Sequence, residues 1–217
     1  MGTLLASAII SSLRRILLDP SPGVTWDNAA LLQLINEAER AIVRVKHEAI
    51  PTRVAITLAA GAQQAIPAAH LCLMDLYENT TGQKRRPRLV DRTLQDVAAS
   101  TYPGATQEAE VREWTKDDRD PRRFAVFPPN NGSGSVMALL GTRPVALDDV
   151  GDAINVDDIY EQVVIDFVLA RAYGENSQRQ DLTKSAAYGQ AWQSALGIST
   201  QSQIGVSPKV QAQGGTR

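Results

Sequence analysis

The sequence predicts an α+β protein, mainly α, in which a helical-bundle core carries inserted antiparallel β-hairpins and an extended C-terminal tail. Three observations predict it. Apolar residues recur at helical spacing near both ends of the chain, alternate with polar ones between turn sequences in the middle, and thin out after Gly197.

The first helix is expected over 3–18, where Leu4, Leu5, Ile9, Ile10, Leu13, Ile16 and Leu17 keep one face before DPSPG breaks the chain. The second, over 26–49, is the clearest. In WDNAALLQLINEAERAIVRVK, Leu31, Leu34, Ile35, Ala38, Ile42 and Val45 recur every three or four residues; Thr25 is the expected N-cap, Asp27 favours the first turn electrostatically, and Pro51 is the stop. A β-rich insertion then occupies about 53–147. TRVAITLAAGAQQAIP alternates Val54, Ile56 and Leu58, turns at Gly61 and resumes toward Ile66, which reads as a hairpin. Leu71, Leu73, Met74 and Tyr77 suggest a short helix over 68–78. Strands follow around Trp114 and around Phe124, Val126 and Phe127, joined by the turn sequence DRDP, and SVMALLGTRPVAL reads as another strand. Helices return over 157–175, capped by Asp157 or Asp158, and over 180–196, where Tyr188, Ala191, Trp192, Ala195 and Leu196 form a stripe and Gly197 is the stop. These pieces make one domain over 1–197 and a C-terminal arm over 198–217.

The part of the arm from Ser199 on, STQSQIGVSPKVQAQGGTR, has no acid and only Ile204, Val206 and Val210 as sizeable apolar residues, too little to offset its chain entropy. Such a tail orders when something holds it, so Ile204, Val206, Val210 and the terminal Arg217 are the expected contacts to a partner chain or a neighbouring copy.

The 217 residues carry 22 basic and 24 acidic side chains, a net charge of -2, which excludes a general polyanion binder and leaves any such role local. The local candidate is the basic loop QKRRPRLVDR, with Lys84, Arg85, Arg86, Arg88 and Arg92 against Asp91. It reads as a solvated loop, a salt-bridged protein interface or a contact to DNA phosphates; it lacks the interleaved aromatics of a single-strand reader. A lone cysteine, Cys72, sits in an apolar run and reads as a buried small hydrophobe. No secretion signal and no membrane span is expected, so the chain reads as soluble.

The motifs of chemistry are not found. His47 and His70 lie in separate segments with no metal or relay pattern, and neither GAQQA nor NNGSGS carries a P-loop's lysine and hydroxyl. DDRDPRR at 117–123 alternates acids with arginines and reads as neutralised turn charge. A carboxylate pair of a wall-degrading enzyme built from Asp27 and Glu37 fails on distance, since ten helical residues span about 15 Å. No catalytic residue, cofactor or metal is therefore assigned, and the chain reads as a non-enzyme.

The order of the motifs resembles one family, the head-to-tail adaptor or head completion proteins of tailed bacteriophages. The resemblance runs over about 3–196: TWDNAALLQLINEAERAIVRVKHEA, with Trp26, Leu32, Ile35, Asn36, Glu37, Ala38 and Arg40; then IPAAHLCLMDLYEN, RLVDRTLQDV, WTKDDRDPRRFAVFPP and DIYEQVVIDFVLARAYGEN. It departs at KHEAIP and in the tail. The resemblance implies a structural virion protein of the neck, assembled in the host cytoplasm as a homo-oligomeric ring, normally dodecameric. Its implied partners are the portal protein and tail or nozzle proteins, with genomic DNA passing the channel without specific binding and no membrane contact. It also implies that the terminal arm reaches the portal, as a strand-addition peptide in extended form. A weakly acidic chain suits a channel that must not grip DNA. The alternatives are a later neck or tail-terminator ring, or a small DNA-binding or packaging factor. The second helix argues against the latter, because Glu37, Glu39 and Glu48 stand among Arg40, Arg44 and Lys46 and acids repel a phosphate backbone.

Overall fold

The computed structural model of the chain describes residues 2–20, 23, 25–91, 106–117, 119–175 and 180–206. The chain divides into two compact units, one of residues 47–145 and one of residues 2–46 with 146–217.

The unit of residues 47–145 is built of strands: β1 (Pro51–Thr57), β2 (Ala60–Ala65), β3 (His70–Asn79), β4 (Arg88–Leu89), β5 (Glu113–Lys116), β6 (Arg123–Asn131) and β7 (Ser135–Thr142). Two sheets result, of order β1-β7-β3 and β2-β6-β5-β4. The register shows how they are joined. Pro51 to Thr57 pair with Gly141 to Ser135, and Ala60 to Ala65 continue against Asn131 to Arg123, so 51–65 and 123–142 form one antiparallel ribbon bent at its middle. Inward side chains of both sheets meet in one cluster, in which Trp114, Phe124, Val136, Ala138, Leu140 and Leu76 are fully buried. The expectation of a helical-bundle core with inserted hairpins is therefore corrected: the strands close an interior of their own, because enough alternating apolar side chains point the same way to fill it.

Two local expectations are corrected with it. Residues 52–67 are not a hairpin, since β1 pairs with β7 and β2 with β6. At the bend the buried Gln64 side chain donates to the carbonyls of Ala59 and Gly61 and accepts from the Ala59 amide, so the backbone turns away rather than back on itself. Residues 70–79, within the segment read as a helix, are β3. This strand slips register against β7 between His70 and Cys72, Leu73 and Asp75, and Leu76 and Glu78. Each bulge adds a residue, so His70, Leu73, Leu76 and Asn79 are buried at spacings of three and imitate a helix.

The other unit holds helices α1 (Ala6–Leu17), α2 (Asn28–Val45), α3 (Glu161–Gly174) and α4 (Leu182–Val206), with a 3-10 turn at Asp158–Tyr160. Helix α3 is buried from Val163 through Leu169 and packs against the other three. Asp27, not Thr25, caps α2, accepting from the Ala30 amide at 2.7 Å. The Thr25 and Trp26 amides are instead taken by the buried Asp19, which sits 3.7 Å from the Arg14 guanidinium. Helix α2 ends at Val45 rather than at 49, because Lys46 leaves helical geometry and the chain turns to bury Ala49 and Ile50. Helix α4 faces α3 with Tyr188, Trp192 and Leu196, while Ala191 and Ala195 of the expected stripe face outward. Gly197 does not stop it: the backbone is helical through Val206, so 198–206 is not the extended tail that composition suggests.

Helix α2 also organises the chain that follows the strand unit. Asn36 donates to the Leu147 carbonyl and accepts from its amide. One turn on, the fully buried Glu39 accepts from the amides of Asn155 and Val156 and from the Asn155 side chain. Burial pushes the Glu39 carboxyl above its ordinary 4.5, with those donors opposing the shift.

The packing within the two units sets three expectations. Glu39→Ala leaves three inward-facing donors unmatched and should lower stability by about 3 kcal/mol in chemical denaturation. In Glu39→Gln the ionisation is gone; because the folded state holds the Glu39 proton more tightly than the unfolded one, the parent loses stability as pH rises above 4.5, and the variant-minus-parent difference should move in the variant's favour over the same range. Equal pH slopes in the two proteins would refute that account. At Gly141 a Cβ would run into the His47 carbonyl and lie 2.7 Å from the Cys72 sulfur, so Gly141→Val should destabilise the protein by about 2 kcal/mol or more, read as a lowered denaturation midpoint.

Candidate functional site

The loop after β3 gathers Lys84, Arg85, Arg86 and Arg88 with no acid among them, and its shape is set by one residue. Asn79 ends β3 fully buried. Its amide and its Nδ2 both donate to the Arg85 carbonyl, at 3.0 and 2.9 Å, while Nδ2 also donates to the Val111 carbonyl and Oδ1 accepts from the Val111 amide. The loop closes through Gly82 at φ +77, a left-handed position that glycine takes without strain, and Pro87 is buried beneath it. The four cations are then unequal. Arg86 is fixed by Asp75 at 2.6 Å, and its guanidinium lies 5.9 Å from the centre of the Tyr77 ring, which Arg53 also approaches at 4.6 Å. Lys84, Arg85 and Arg88 are exposed and make no ion pair among the described residues. Arg92 lies outside the described residues.

A surface of the opposite sign occupies the helical unit. Residues 148–161, DDVGDAINVDDIYE, hold Asp148, Asp149, Asp152, Asp157, Asp158 and Glu161 and no basic residue. Sequence reading used this stretch only for a helix cap; the run of acids was the signal available. The segment is tied to the start of α1: the Ala6 and Ser7 amides donate to the carbonyls of Asp152 and Val150, and Asp158 accepts from the Thr3 hydroxyl and the amides of Thr3 and Leu4. These donors, the Thr3 hydroxyl foremost, hold the Asp158 carboxyl below its ordinary range, so it is ionised at neutral pH. The acids remain on the surface, and among the described residues none of the six forms an ion pair.

The predicted C-terminal contacts divide. Ile204 and Val206 lie on the α4 backbone, whereas Val210 and Arg217 lie outside the described residues. The histidines are apart in role: His47 is exposed beyond α2, and His70 starts β3 with Nδ1 3.1 Å from the Thr142 hydroxyl. An open cleft of about 430 Å³ is lined by His47, Glu48, Cys72, Lys116, Asp117 and Arg123 among others. Burial pushes the Cys72 thiol up, away from the reactive thiolate. Asp117 and Asp120 are engaged in the turn, Asp117 accepting from the Arg119 amide and Asp120 from the Arg122 amide and pairing with Arg123 at 3.3 Å, while Asp118 lies outside the described residues. Among the described residues no group of three His, Cys, Asp or Glu side chains is placed to hold a metal, and no helix is long and apolar enough to cross a membrane.

No curated protein matches the chain. The family model described as SU10 adaptor protein matches residues 5–212, which takes in both units and nearly all of the C-terminal segment. With that span covered, the chain belongs to the SU10 adaptor protein family, in keeping with the phage head-to-tail adaptors that its order of motifs resembles.

Proposed function

We propose that this adaptor assembles as a ring in the virion neck, joins the capsid portal to the tail and extends the DNA channel. The family match from residue 5 to residue 212 carries the reading, because it spans both compact units rather than one borrowed module. The ring is dodecameric, is formed in the host cytoplasm and offers its far side to tail or nozzle proteins. Its work is to hold two assemblies in register, which asks for complementary surfaces rather than a reacting group. DNA passes through without specific binding, in keeping with a net charge of -2.

The portal contact is assigned to the C-terminal segment, with Ile204, Val206, Val210 and Arg217 as its anchors. Two features support this. The chain carries no acid from Leu182 to Arg217, and α4 meets α3 through Tyr188 and Trp192, both of which the removal of 198–217 would leave in place. Light scattering behind a sizing column, on the chain alone and mixed with its portal, tests both statements. The full chain should join the portal as a ring-sized complex, and removal of residues 198–217 should leave the melting temperature within a few degrees while abolishing the complex. Undiminished portal binding by the truncated chain would end the assignment of the arm, and a full chain that joins tail proteins but never the portal would make it a later neck ring.

A further inference from the structure

The two charged surfaces have opposite signs, lie on different units and, Arg86 with Asp75 apart, form no ion pair in their own chain among the described residues. We infer that the basic loop of one copy, through Lys84, Arg85 and Arg88, docks on the acidic segment 148–161 of the next copy. The inference rests on the ring reading and names the contact that would build the ring.

Charge complementarity chooses the occupant. A chain of net charge -2 has gathered six acids and no base into fourteen consecutive residues, and four bases and no acid into 83–88. A mixed surface of the same composition would be neutral everywhere and would attract nothing. Segregation at constant net charge gives each copy one donor face and one acceptor face, which is what a self-association needs and what binding to a third molecule does not require.

Both faces are also held in shape before they meet. Asn79 pins the Arg85 carbonyl, and Asp75 with Tyr77 pins Arg86, so the three remaining cations leave a fixed loop. On the acidic side Glu39 and Asn36 hold the backbone from α2, and the α1 amides hold it from the other direction. Little ordering is then left to be done on association, which favours affinity.

Because the two faces differ, the contact is heterologous: each copy uses its basic face on one neighbour and its acidic face on the other. Repetition in one sense generates a closed ring when the rotation per copy divides a full turn, and a filament otherwise. The charges are exposed, so their attraction is screened within about 10 Å at 0.1 M salt and assembly should weaken as salt rises. Duplex DNA is the less favoured occupant. Three cations make few phosphate contacts, and Tyr77, the aromatic ring beside them, is already approached by Arg53 and Arg86.

Charge reversal on the full chain tests this. One variant carries Lys84→Glu, Arg85→Glu and Arg88→Glu; a second carries Asp148→Lys and Glu161→Lys, two exposed acids whose carboxylates bear no hydrogen bond within the described structure, together with Asp149→Asn, Asp152→Asn, Asp157→Asn and Asp158→Asn, whose amide oxygens keep the local acceptors, so that the segment carries two bases and no acid. Assembly is read by light scattering on each chain, alone and with the portal. Each variant alone sets like charges against each other and should assemble about 100-fold more weakly than the parent. An equimolar mixture of the two, and a single chain carrying all nine changes, restore opposite charges and should recover the parent's assembly; that recovery also shows that the substitutions leave the fold intact. Parent-like assembly by either variant alone, or no recovery in the mixture and the ninefold variant, would overturn the contact. Parent-like assembly combined with loss of a duplex-DNA gel shift would give the loop to nucleic acid instead. A parent that forms no ring with or without the portal would remove the ring reading itself, an outcome distinct from a parent that assembles beside variants that assemble equally well.

Discussion

Asn79 brings two N–H donors and an amide oxygen into an interior that water does not reach, and every one of those atoms must find a protein partner there. The Arg85 carbonyl and both backbone groups of Val111 supply them. The constraint acts in both directions. The loop of 80–86 is held at a set distance from the end of β3, and the chain before β5 is drawn against the same point. Asn130 repeats the device at the far side of the segment, donating to the Ala109 carbonyl and accepting from the amides of Gly132 and Gly134. Two buried amides thus fix 109–111 between the loop that displays the cations and the corner where the ribbon bends. Neither is adjustable: a longer or charged side chain at either place would face the same enclosed groups with the wrong number of donors.

That ribbon explains why the middle of the chain is harder to read than its ends. Alternation in 51–65 is real, and so is the glycine near its centre, but alternation states only which side of a sheet a residue faces. It says nothing of which strand lies alongside. The partner of both halves is 123–142, more than fifty residues away, and the bend that passes the ribbon from one sheet to the other is secured by a side chain, Gln64, that composition marks as merely polar. Strand β3 misleads for a different reason. Three bulges in ten residues convert a period of two into a period of three, and at that length a period of three cannot be told from a helix. The hairpin of β5 and β6 is legible because its pairing is local and its turn residues declare it.

The helices are legible where one face is apolar and the other polar. Helix α2 shows both the strength and the limit of that signal. Its buried stripe falls where the spacing puts it, yet Glu39, which reads as one charge among several on a mixed surface, is completely enclosed and holds the chain of 155–156. Lys46 is buried as well, with its ammonium 5.8 Å from the centre of the Tyr160 ring. A sequence alone does not distinguish a carboxylate that meets water from one that meets three amides, because the distinction is made by a segment over a hundred residues later. The acidic run of 148–161 was equally visible as composition, but its meaning depends on that same anchoring: unanchored it would be a solvated linker, and anchored it is a surface of fixed charge.

A protein that joins assemblies has to be stable as a subunit and still carry surfaces that are incomplete by themselves. The two requirements conflict wherever a charge is exposed, since pairing it within the chain satisfies the subunit and silences the surface. This chain separates them by position. Arg14 with Asp19, Glu39 with the 155–156 amides, and Arg86 with Asp75 are matched internally, and each lies beneath or beside a segment that must keep its shape. Lys84, Arg85, Arg88 and the acids of 148–161 stand at the surface and form no ion pair among the described residues. Matched charges fix the geometry and unmatched ones use it. A net charge of -2 therefore conceals local fields of opposite sign, four bases within 83–88 and six acids within 148–161, each held by a backbone that the matched groups fix.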